Sequence, residues 1–346
     1  MPKIGVLTGG GDAPGLNAVI RAIVLAGRRE MGVEVIGIRD GFGGFMEADG
    51  TVPLDEQAVR GLLWRAGSIL GCNNIFRPDP KFLVERTQEL GLEGLIIAGG
   101  NGSLTVAALM QELGANVVGV PKTIDNDVAG TDITFGFDSA LAVVAESCNS
   151  LIATAESHHR IMVVEVMGRH SGFIALHGAI AGSADVALLP ELPYRPENIV
   201  RVVQERAMKG RTYTLVVAAE GASSVGGEMV VDEYRTRLTG REHLGGIGAR
   251  LAEELRGLVR HEVRSIALGH LQRGGMPTPF DRILGSRMGV EAVRAIANGH
   301  SGVFTALRSG KVQLAPLSDA AGKTRKVRPE SQILSVARGL GISFGD

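Results

Sequence analysis

The chain has 346 residues, of which 45% are apolar and 21% charged, and its formal net charge is −1. These values predict a globular protein of one large or two moderate domains and argue against a general nucleic-acid binder. Aromatic residues are scarce at 4%, which disfavours stacking platforms for bases, and Cys72 and Cys148 have no metal-type spacing.

Strand and helix patterns alternate from the N-terminus. The opening "MPKIGVLT" enters a strand without a signal-peptide pattern, and no apolar run reaches the ~18–20 residues of a membrane span, so we expect a cytoplasmic enzyme. Runs rich in Val, Ile and Leu predict strands at Ile4–Thr8, Val33–Ile38, Leu95–Ala98, Asn116–Val120, Ile161–Met167, Val186–Leu189, Tyr213–Ala218 and Val263–Leu268. Helical periodicity predicts helices at Leu16–Arg28, Lys81–Leu90, Ser103–Leu113, Ala140–Thr154, Pro196–Lys209 and Arg282–Ala297.

This alternation predicts an α/β protein with parallel sheets covered on both faces. We expect two doubly wound lobes, with a domain joint near residues 134–140. Ligands of such sheets bind at the carboxyl ends of the strands. The glycines and unusual polar residues of this sequence follow the predicted strands, so they mark that edge as the candidate site.

Two glycine turns in the first half of the chain favour phosphate binding. "GVLTGGGDAPG" and "LIIAGGNGS" each run from a strand through glycines into a helix, an arrangement that presents backbone N–H groups to an anion. Neither is a strict dinucleotide fingerprint or a P-loop, because Pro14 takes the third glycine position of the first turn and no G-x-x-x-x-G-K-[ST] occurs. The alternative is a plain strand-to-helix turn.

Three further strand ends carry charged groups. In "GVPKTIDNDVAGTD", Asp125 and Asp127 could serve as a base and a metal ligand, and Lys122 and Thr123 could meet phosphoryl oxygens. "VVEVMGRHSG" and "LGHLQRGG" place arginines, and in the second a histidine, where an anion could bind. The alternatives are a solvated turn, a surface ion pair and a structural histidine.

Five motifs together resemble the 6-phosphofructokinases. "LTGGGDAPGLNAVIR", "AGGNGS", "PKTIDND", "VVEVMGRHSG" and "LGHLQRGG" occur in the order found in that family, across essentially the whole chain. The resemblance implies two doubly wound, mostly parallel lobes with the active site between them. Residues 1–137 with about 277–325 would bind the donor, and 138–276 with about 326–346 would bind fructose 6-phosphate. The segment "HLGGIGARLAEELR" and Lys122 resemble the subgroup that contains both ATP- and pyrophosphate-dependent members.

The resemblance implies phosphorylation of the 1-hydroxyl of fructose 6-phosphate, a step of glycolysis. Asp125 would accept the hydroxyl proton, Thr123 would contact the transferred group, and Arg169 would neutralise charge in the transition state. Lys122 would point toward the donor's α-phosphate position. Asn101 and Asp127 would hold Mg²⁺.

The remaining implied roles concern binding. The sugar would contact Met167, Gly168, Arg169 and Glu220. Its 6-phosphate would contact His270 and Arg273, and also Arg160 and Arg264 of a neighbouring subunit. The donor would contact Gly11, Asn74, Gly102 and Ser103. A homo-oligomer, expected to be a tetramer, would therefore share its active sites between subunits.

Several positions depart from the family pattern. Asn101 stands where the family usually has a magnesium-binding Asp. Asn74 stands near the position at which nucleotide-dependent bacterial members have a phosphate-contacting Arg, and Val106 stands where those members have a Gly against the adenine. Gly102 leaves open the space that an Asp fills in pyrophosphate-dependent members, which favours ATP over pyrophosphate. Arg21, Lys209 and Arg211 match the family's basic effector site, whereas Leu25, Glu56 and Ile152 replace its arginines.

Three interpretations remain at this point. The first is a phosphofructokinase that uses ATP, with pyrophosphate as the alternative donor. The second is a weakly active paralogue that binds sugar phosphate, which Asn101 and Asn74 favour and the intact Asp125, Thr123 and Arg169 disfavour. The third is a related lipid or NAD kinase, in which the sugar-phosphate residues would have no use.

Overall fold

A computed structural model describes residues 1–73, 79–233, 236–237 and 242–346. The chain divides into two compact units. Unit 1 comprises Met1–Ser139 with Arg273–Arg325, and unit 2 comprises Ala140–Gln272 with Lys326–Asp346. Each unit is built on a sheet of largely parallel strands with helices, which confirms the predicted α/β class.

The described residues of unit 1 form a seven-stranded sheet in the order β11-β10-β5-β4-β1-β2-β3. Its strands are β1 (Lys3–Thr8), β2 (Glu34–Ile38), β3 (Thr51–Leu54), β4 (Gly94–Gly99), β5 (Val117–Pro121), β10 (Val303–Arg308) and β11 (Lys311–Pro316). Its helices are α1 (Leu16–Glu30), α2 (Pro80–Glu89), α3 (Asn101–Glu112) and α8 (Pro279–Ala297).

The centre of this sheet is parallel and buried on both faces. All six residues of β4 are buried, as its unbroken apolar run predicts, and separate apolar clusters lie on the two sides of the sheet. The strands at the two lateral edges of the sheet are not parallel to their neighbours. The edge strands β3 and β11 pair antiparallel with their neighbours, and the sequence patterns did not predict them or β10.

In unit 2 the residues that the structure describes form a four-stranded parallel sheet in the order β7-β8-β6-β9. Its strands are β6 (Ile161–Val166), β7 (Val186–Leu188), β8 (Thr214–Ala219) and β9 (Val263–Ala267). Its helices are α5 (Phe173–Ala181), α6 (Pro196–Met208), α7 (Ile247–Leu255) and α9 (Gln332–Gly339), and α4 (Phe137–His158) begins in unit 1 and continues into unit 2. Every residue of β6 and β8 is buried, whereas most of the edge strand β9 is exposed.

The strand orders decide which loops meet. In unit 1, β5, β4 and β1 are parallel neighbours, so the loops that follow them lie side by side at the carboxyl ends of the strands, here called the carboxyl edge of the sheet. In unit 2, β8, β6 and β9 are neighbours, and the loops that follow them likewise share an edge. None of the described helices has the length and hydropathy required to span a bilayer.

Candidate active site

The two glycine turns of unit 1 pack against each other through Ser103. Side chains at Gly9 or Gly99 would collide with the Ser103 side chain, which is buried at the start of α3. The amide of Gly9 donates to the carbonyl of Ala98 at 2.8 Å, which joins the two turns. The helix begins at Asn101, two residues earlier than predicted, so Gly102 lies in its first turn and not in a loop. The paired turns form a backbone cradle of the kind that binds phosphate.

Lys122 follows β5 and is buried beside this cradle. Its side chain is 3% exposed, and Nζ donates to the carbonyl of Gly11. Burial lowers the pKa of the Lys122 ammonium to about 8, and the positive charge of Arg273 acts in the same direction. A cation at this position is available to a polyphosphate bound at the turns.

The loop after Lys122 holds a buried carboxylate. Asp125 is 5% exposed, and its Oδ1 atom has no hydrogen-bond partner among the described residues. The amide of Asp125 donates to Thr123 Oγ1 at 3.1 Å, and Thr134 Oγ1 donates to the carbonyl of Thr123 at 2.7 Å. A buried carboxylate oxygen without a donor is poised to accept a proton or to ligate a cation.

Asn101 and Asp127 meet at the same edge. Asn101 Nδ2 donates to Asp127 Oδ2 at 3.0 Å, while Asn101 Oδ1 is buried and has no partner in the part of the chain that the structure describes. No three His, Cys, Asp or Glu side chains of the described residues group as a metal site. Mg²⁺ needs fewer than three protein ligands, since it commonly binds one or two protein oxygens together with waters and substrate phosphates. An unpartnered amide oxygen beside a carboxylate therefore fits Mg²⁺.

In unit 2 the loop after β6 is held in a strained conformation. Arg169 has φ = 52°, and Gly168 before it has φ = 138°. A non-glycine residue in such a conformation costs about 1–3 kcal/mol and commonly marks a functional site. The amide of Arg169 donates to Glu220 Oε1 at 2.9 Å, and a side chain at Gly221 would collide with the carbonyl of Arg169. Met167, Gly168, Arg169 and Glu220 thus lie close together, and their role in binding the sugar stays a prediction.

Two residues that the sequence patterns missed support this loop. The Glu191 carboxylate accepts from the amide of Gly172 at 3.0 Å, at the start of α5, and from the amide of Val327 at 2.9 Å. Gln272 is fully buried, and its Oε1 accepts from the amide of Met167 at 3.3 Å. Their only signal in the sequence is that Glu191 closely follows a strand and Gln272 lies within "LGHLQRGG".

His270 lies in the loop after β9, so it shares the carboxyl edge of the sheet with Met167 and Glu220. Arg160 and Arg264 do not lie at this carboxyl edge. Arg160 directly precedes β6, whereas Arg169 follows it, and six strand residues span about 20 Å. Glu262 binds both arginines, with Arg160 Nε at 2.6 Å and Arg264 Nη2 at 2.5 Å, and these bonds lower the pKa of the Glu262 carboxyl.

Comparison with known proteins identifies the family. The model of the family described as "Phosphofructokinase" matches residues 3–296. The chain belongs to the phosphofructokinase family. The ATP-dependent 6-phosphofructokinase of Chloroflexus aurantiacus is 48% identical over 99% of this chain and 98% of that protein. The pyrophosphate–fructose 6-phosphate 1-phosphotransferase of Streptomyces coelicolor is 43% identical over 99% of this chain and 100% of that protein.

A solved structure agrees with the family assignment. Phosphofructokinase from Saccharomyces cerevisiae superposes with a TM-score of 0.80 at 30% identity, over 92% of this chain. This chain spans 45% of that yeast chain. The two-unit α/β architecture is therefore that of a phosphofructokinase.

Two remaining expectations concern other parts of this phosphofructokinase. Asn74 lies outside the described residues. Lys209 and Arg211 line an open groove of unit 2 together with Asp185 and Arg206. Arg206 forms an ion pair there with Asp185, at 2.5 Å. Its charge is thereby neutralised, so the groove has less positive charge for an anionic effector than a count of its basic residues indicates.

Proposed function

We propose that this protein transfers a phosphoryl group from ATP to the 1-hydroxyl of fructose 6-phosphate. The observation that carries the proposal is the cradle of unit 1. There two packed glycine turns, the buried Lys122 and Asp125, whose Oδ1 has no hydrogen-bond partner among the described residues, lie at the carboxyl ends of neighbouring strands. Relatives named ATP-dependent 6-phosphofructokinase, aligned over nearly the full chain, support the reaction.

Asp125 is the proposed general base. A base must be free to accept the hydroxyl proton, and Asp125 Oδ1 is buried without a hydrogen-bond donor among the described residues. Thr123 would contact the transferred phosphoryl group, and Arg169 would neutralise its developing charge. Phosphoryl transfer depends chiefly on such positioning and charge neutralisation, because the protein needs to form no covalent bond to the substrate.

The proposal includes Mg²⁺ held by Asn101 and Asp127. When bound, the ion would neutralise charge on the donor's phosphate oxygens. Asn101 supplies a neutral amide oxygen and Asp127 a carboxylate, so this pair carries one negative charge less than two aspartates would. We therefore expect a weaker hold on the ion than a pair of carboxylates gives.

Met167, Gly168, Arg169 and Glu220 would hold the sugar, and the resemblance implies that His270 and Arg273 hold its 6-phosphate. Arg160 and Arg264 lie at the opposite edge of the same sheet, about 20 Å of strand away. We propose that they serve the 6-phosphate site of a neighbouring subunit in a homo-oligomer, as the resemblance implies, with a tetramer as the expected assembly. The protein would then require assembly for activity.

The donor is decided by an assay that compares ATP and pyrophosphate with fructose 6-phosphate at saturating Mg²⁺. ATP is favoured because a Cβ atom on Gly102 would meet nothing within 4 Å, which leaves room for a nucleotide's α-phosphate. Gly102→Asp should reduce kcat/KM for ATP more than for pyrophosphate. Gly339→Asp is the matched control, since a side chain there is equally unobstructed and Gly339 lies in α9 of unit 2.

A parent enzyme that uses pyrophosphate better than ATP would reverse the choice of donor and make the protein a pyrophosphate-dependent phosphotransferase. Activity with neither donor, together with retained binding of fructose 6-phosphate, would favour the weakly active paralogue. Turnover of a lipid or of NAD in place of the sugar phosphate would favour the related kinases.

A further inference from the structure

A short segment near the end of unit 1 is bonded to both sides of the candidate metal site. It has the sequence "GKTR", runs from Gly322 to Arg325 and is called the GKTR segment here. The amide of Gly322 donates to Thr105 Oγ1 at 3.0 Å, and this hydroxyl donates to the carbonyl of Asn101 at 2.8 Å. The amide of Arg325 donates to the carbonyl of Asp127 at 2.7 Å. The GKTR segment therefore links α3 to the loop that follows β5.

The carbonyl of Asp127 is the point at which this segment meets the metal pair. It accepts from the amide of Arg325 and also from Asn101 Nδ2, which lies 3.3 Å away. The same Nδ2 atom donates to Asp127 Oδ2 at 3.0 Å. Because Asn101 is bonded to both the carbonyl and the carboxylate of Asp127, a shift of this main chain would change the distance between the two side chains.

The Arg325 side chain fixes the same loop at a second point. Its Nη1 atom donates to the carbonyl of Asp132 at 2.6 Å, while its main-chain amide holds Asp127. An isolated antiparallel bridge between Val128 and Thr324 joins the two stretches of chain beside these bonds. A single residue thus connects Asp127 with Asp132, and the loop is closed by contacts that are distant in sequence.

The backbone between the two carboxylates of this loop is left-handed. Asn126 has φ = 53°, is 3% exposed and lies between Asp125 and Asp127. Asn adopts such a conformation more readily than most residues. Asn126 Oδ1 accepts from the amide of Thr134 at 3.1 Å and lies 3.5 Å from Arg325 Nη1. Arg325 therefore contacts the turn that sets the directions of both carboxylates.

We infer that Arg325 is a positioning residue for phosphoryl transfer, because it holds Asp127 in the place from which that carboxylate shares Mg²⁺ with Asn101. The inference rests on the proposed function, which supplies the ion. Mg²⁺ requires near-ideal octahedral geometry with ligands at about 2.0–2.1 Å, so it tolerates little displacement of a ligand. Residues that orient metal ligands without touching the metal commonly change metal affinity about 10–100-fold when they are removed.

Binding of Mg²⁺, measured without turnover, tests this role. Mg²⁺ is titrated alone and with a non-hydrolysable analogue of the donor that the parent uses, and the rise in Tm is recorded. Arg325→Ala removes the bond to Asp132 and should raise the Mg²⁺ concentration that gives half of this rise by about tenfold. Arg325→Lys retains a cationic donor and should recover part of the loss. At saturating Mg²⁺, the half-saturation concentration for fructose 6-phosphate should stay at the parent's value in both variants.

Two other arginines of unit 1 provide matched controls. Arg287 Nη2 donates to the carbonyl of Gly310 at 2.8 Å, outside the loop, so Arg287→Ala should respond to Mg²⁺ as the parent does. Arg308 Nε donates to the carbonyl of Gly130 at 2.7 Å, at another point of the same loop, so Arg308→Ala should lower the Tm without changing the Mg²⁺ concentration at half of the rise. An equal shift in Arg308→Ala and Arg325→Ala would mean that any loss of support for this loop has the same effect, and it would overturn the inference.

Thr105→Val tests the other end of the GKTR segment. Valine has nearly the shape of threonine, but it neither accepts from the amide of Gly322 nor donates to the carbonyl of Asn101. This variant should also need more Mg²⁺ for half of the rise in Tm. Added to Arg325→Ala, the same substitution should cost less, because the segment is then already released at one end.

An unchanged Mg²⁺ response in Arg325→Ala overturns the inference, and if that variant does not fold, an unchanged response in Thr105→Val overturns it. A parent whose Tm does not respond to Mg²⁺ also overturns it. Failure of the proposed function looks different: the parent would not turn over fructose 6-phosphate, while Arg325→Ala would still weaken the response of the Tm to Mg²⁺ alone.

Discussion

The amide of Asn101 faces Asp127 with its nitrogen. Nδ2 lies 3.0 Å from Asp127 Oδ2 and 3.3 Å from the Asp127 carbonyl, and both of these oxygens accept hydrogen bonds. The amide oxygen is thereby directed away from Asp127, buried and without a partner among the described residues. The Asn101 Oδ1 atom is therefore an oxygen of this pair that a cation could use.

Asn101→Asp should make the protein depend more on Mg²⁺. Without the ion, the substitution replaces a donor by a second carboxylate about 3 Å from Asp127 Oδ2, and like charges at that distance repel. We expect a lower Tm than the parent in chelator and a larger rise in Tm on addition of Mg²⁺. The gain in kcat/KM should be largest at limiting Mg²⁺.

Thermal melting across a Mg²⁺ titration checks this prediction independently of activity. Asn116→Asp is the control, because Asn116 also belongs to unit 1, but its Nδ2 donates to the carbonyl of Glu93 at 2.9 Å and not to a carboxylate. Its Tm should respond to Mg²⁺ as the parent does. If Asn101→Asp responds no more than this control, the ion does not depend on Asn101.

Asp125→Asn should remove most of the turnover and leave the fold intact. The carboxylate is buried and its Oδ1 has no partner in the described part of the chain, so the isosteric amide removes the base without breaking a described hydrogen bond to that atom. Loss of a general base lowers the rate by about 10²–10⁴-fold. Steady-state assays with fructose 6-phosphate measure the loss, and calorimetry should find sugar-phosphate binding little changed. Asp132→Asn is the control, since Asp132 accepts from the amide of Ser309 at the surface. A variant with more than half of the parent rate would exclude Asp125 as the base.

The sequence predicted the centre of each sheet and the chemistry at its carboxyl edge. Lys122, Asp125 and Arg169 follow continuous apolar runs, and local patterns are sufficient to find them. The edge strands were missed because they are short or alternating, and one of them, β3, contains Pro53. The start of α3 was placed two residues late, because "GGNGS" looks like a turn although Asn101 and Gly102 are helical.

Contacts between distant parts of the chain could not be predicted in this way. The guanidinium of Arg273 reaches Asp12 across 261 positions of sequence, and Glu191 reaches Val327 across 136. No local periodicity records such a pair. The motif that contains Arg273 indicated an anion-binding group but not the turn that it contacts.

Arg160 can be tested for a contribution to a neighbouring subunit by mixing two impaired variants and assaying the mixture at low fructose 6-phosphate. Arg160→Ala should raise the half-saturation concentration for fructose 6-phosphate, because it removes a charged contact to the 6-phosphate. Asp125→Asn lacks the base. If Arg160 acts in the neighbouring subunit, mixed oligomers contain sites with both Arg160 and Asp125 intact, and activity should reappear after subunit exchange.

The exchange must be shown by a tag on one of the two chains. Arg256→Ala is the control for loss of a surface arginine, since Arg256 directly follows α7 and forms an exposed pair with Glu253 at 2.8 Å. It should leave the half-saturation concentration unchanged. Mixed oligomers that remain inactive would place Arg160 and Asp125 at the same site of one chain, against the strand geometry.

The affinity for the donor should fall as the pH rises through 8. Burial lowers the pKa of Lys122 to about 8, so its ammonium fraction falls from about 90% at pH 7 to about 10% at pH 9. Lys122→Arg keeps its charge over this range and should abolish the pH dependence of the donor KM. Cys72→Ser is the control for the neighbouring thiol, whose pKa burial raises above its ordinary value.

The lowered pKa of Lys122 should make the free energy of unfolding rise with pH, whereas it makes the donor affinity fall. Between pH 8 and about 10.4 the unfolded chain retains a proton on Lys122 that the folded chain has lost, so this residue adds stability as the pH rises. Parent and Lys122→Arg should therefore diverge in free energy of unfolding above pH 8, with the parent gaining, while the parent loses donor affinity. Denaturant titrations and donor KM values at pH 7, 8 and 9 measure both effects. A parent KM that stays constant over this range would mean that the Lys122 ammonium does not contact the donor.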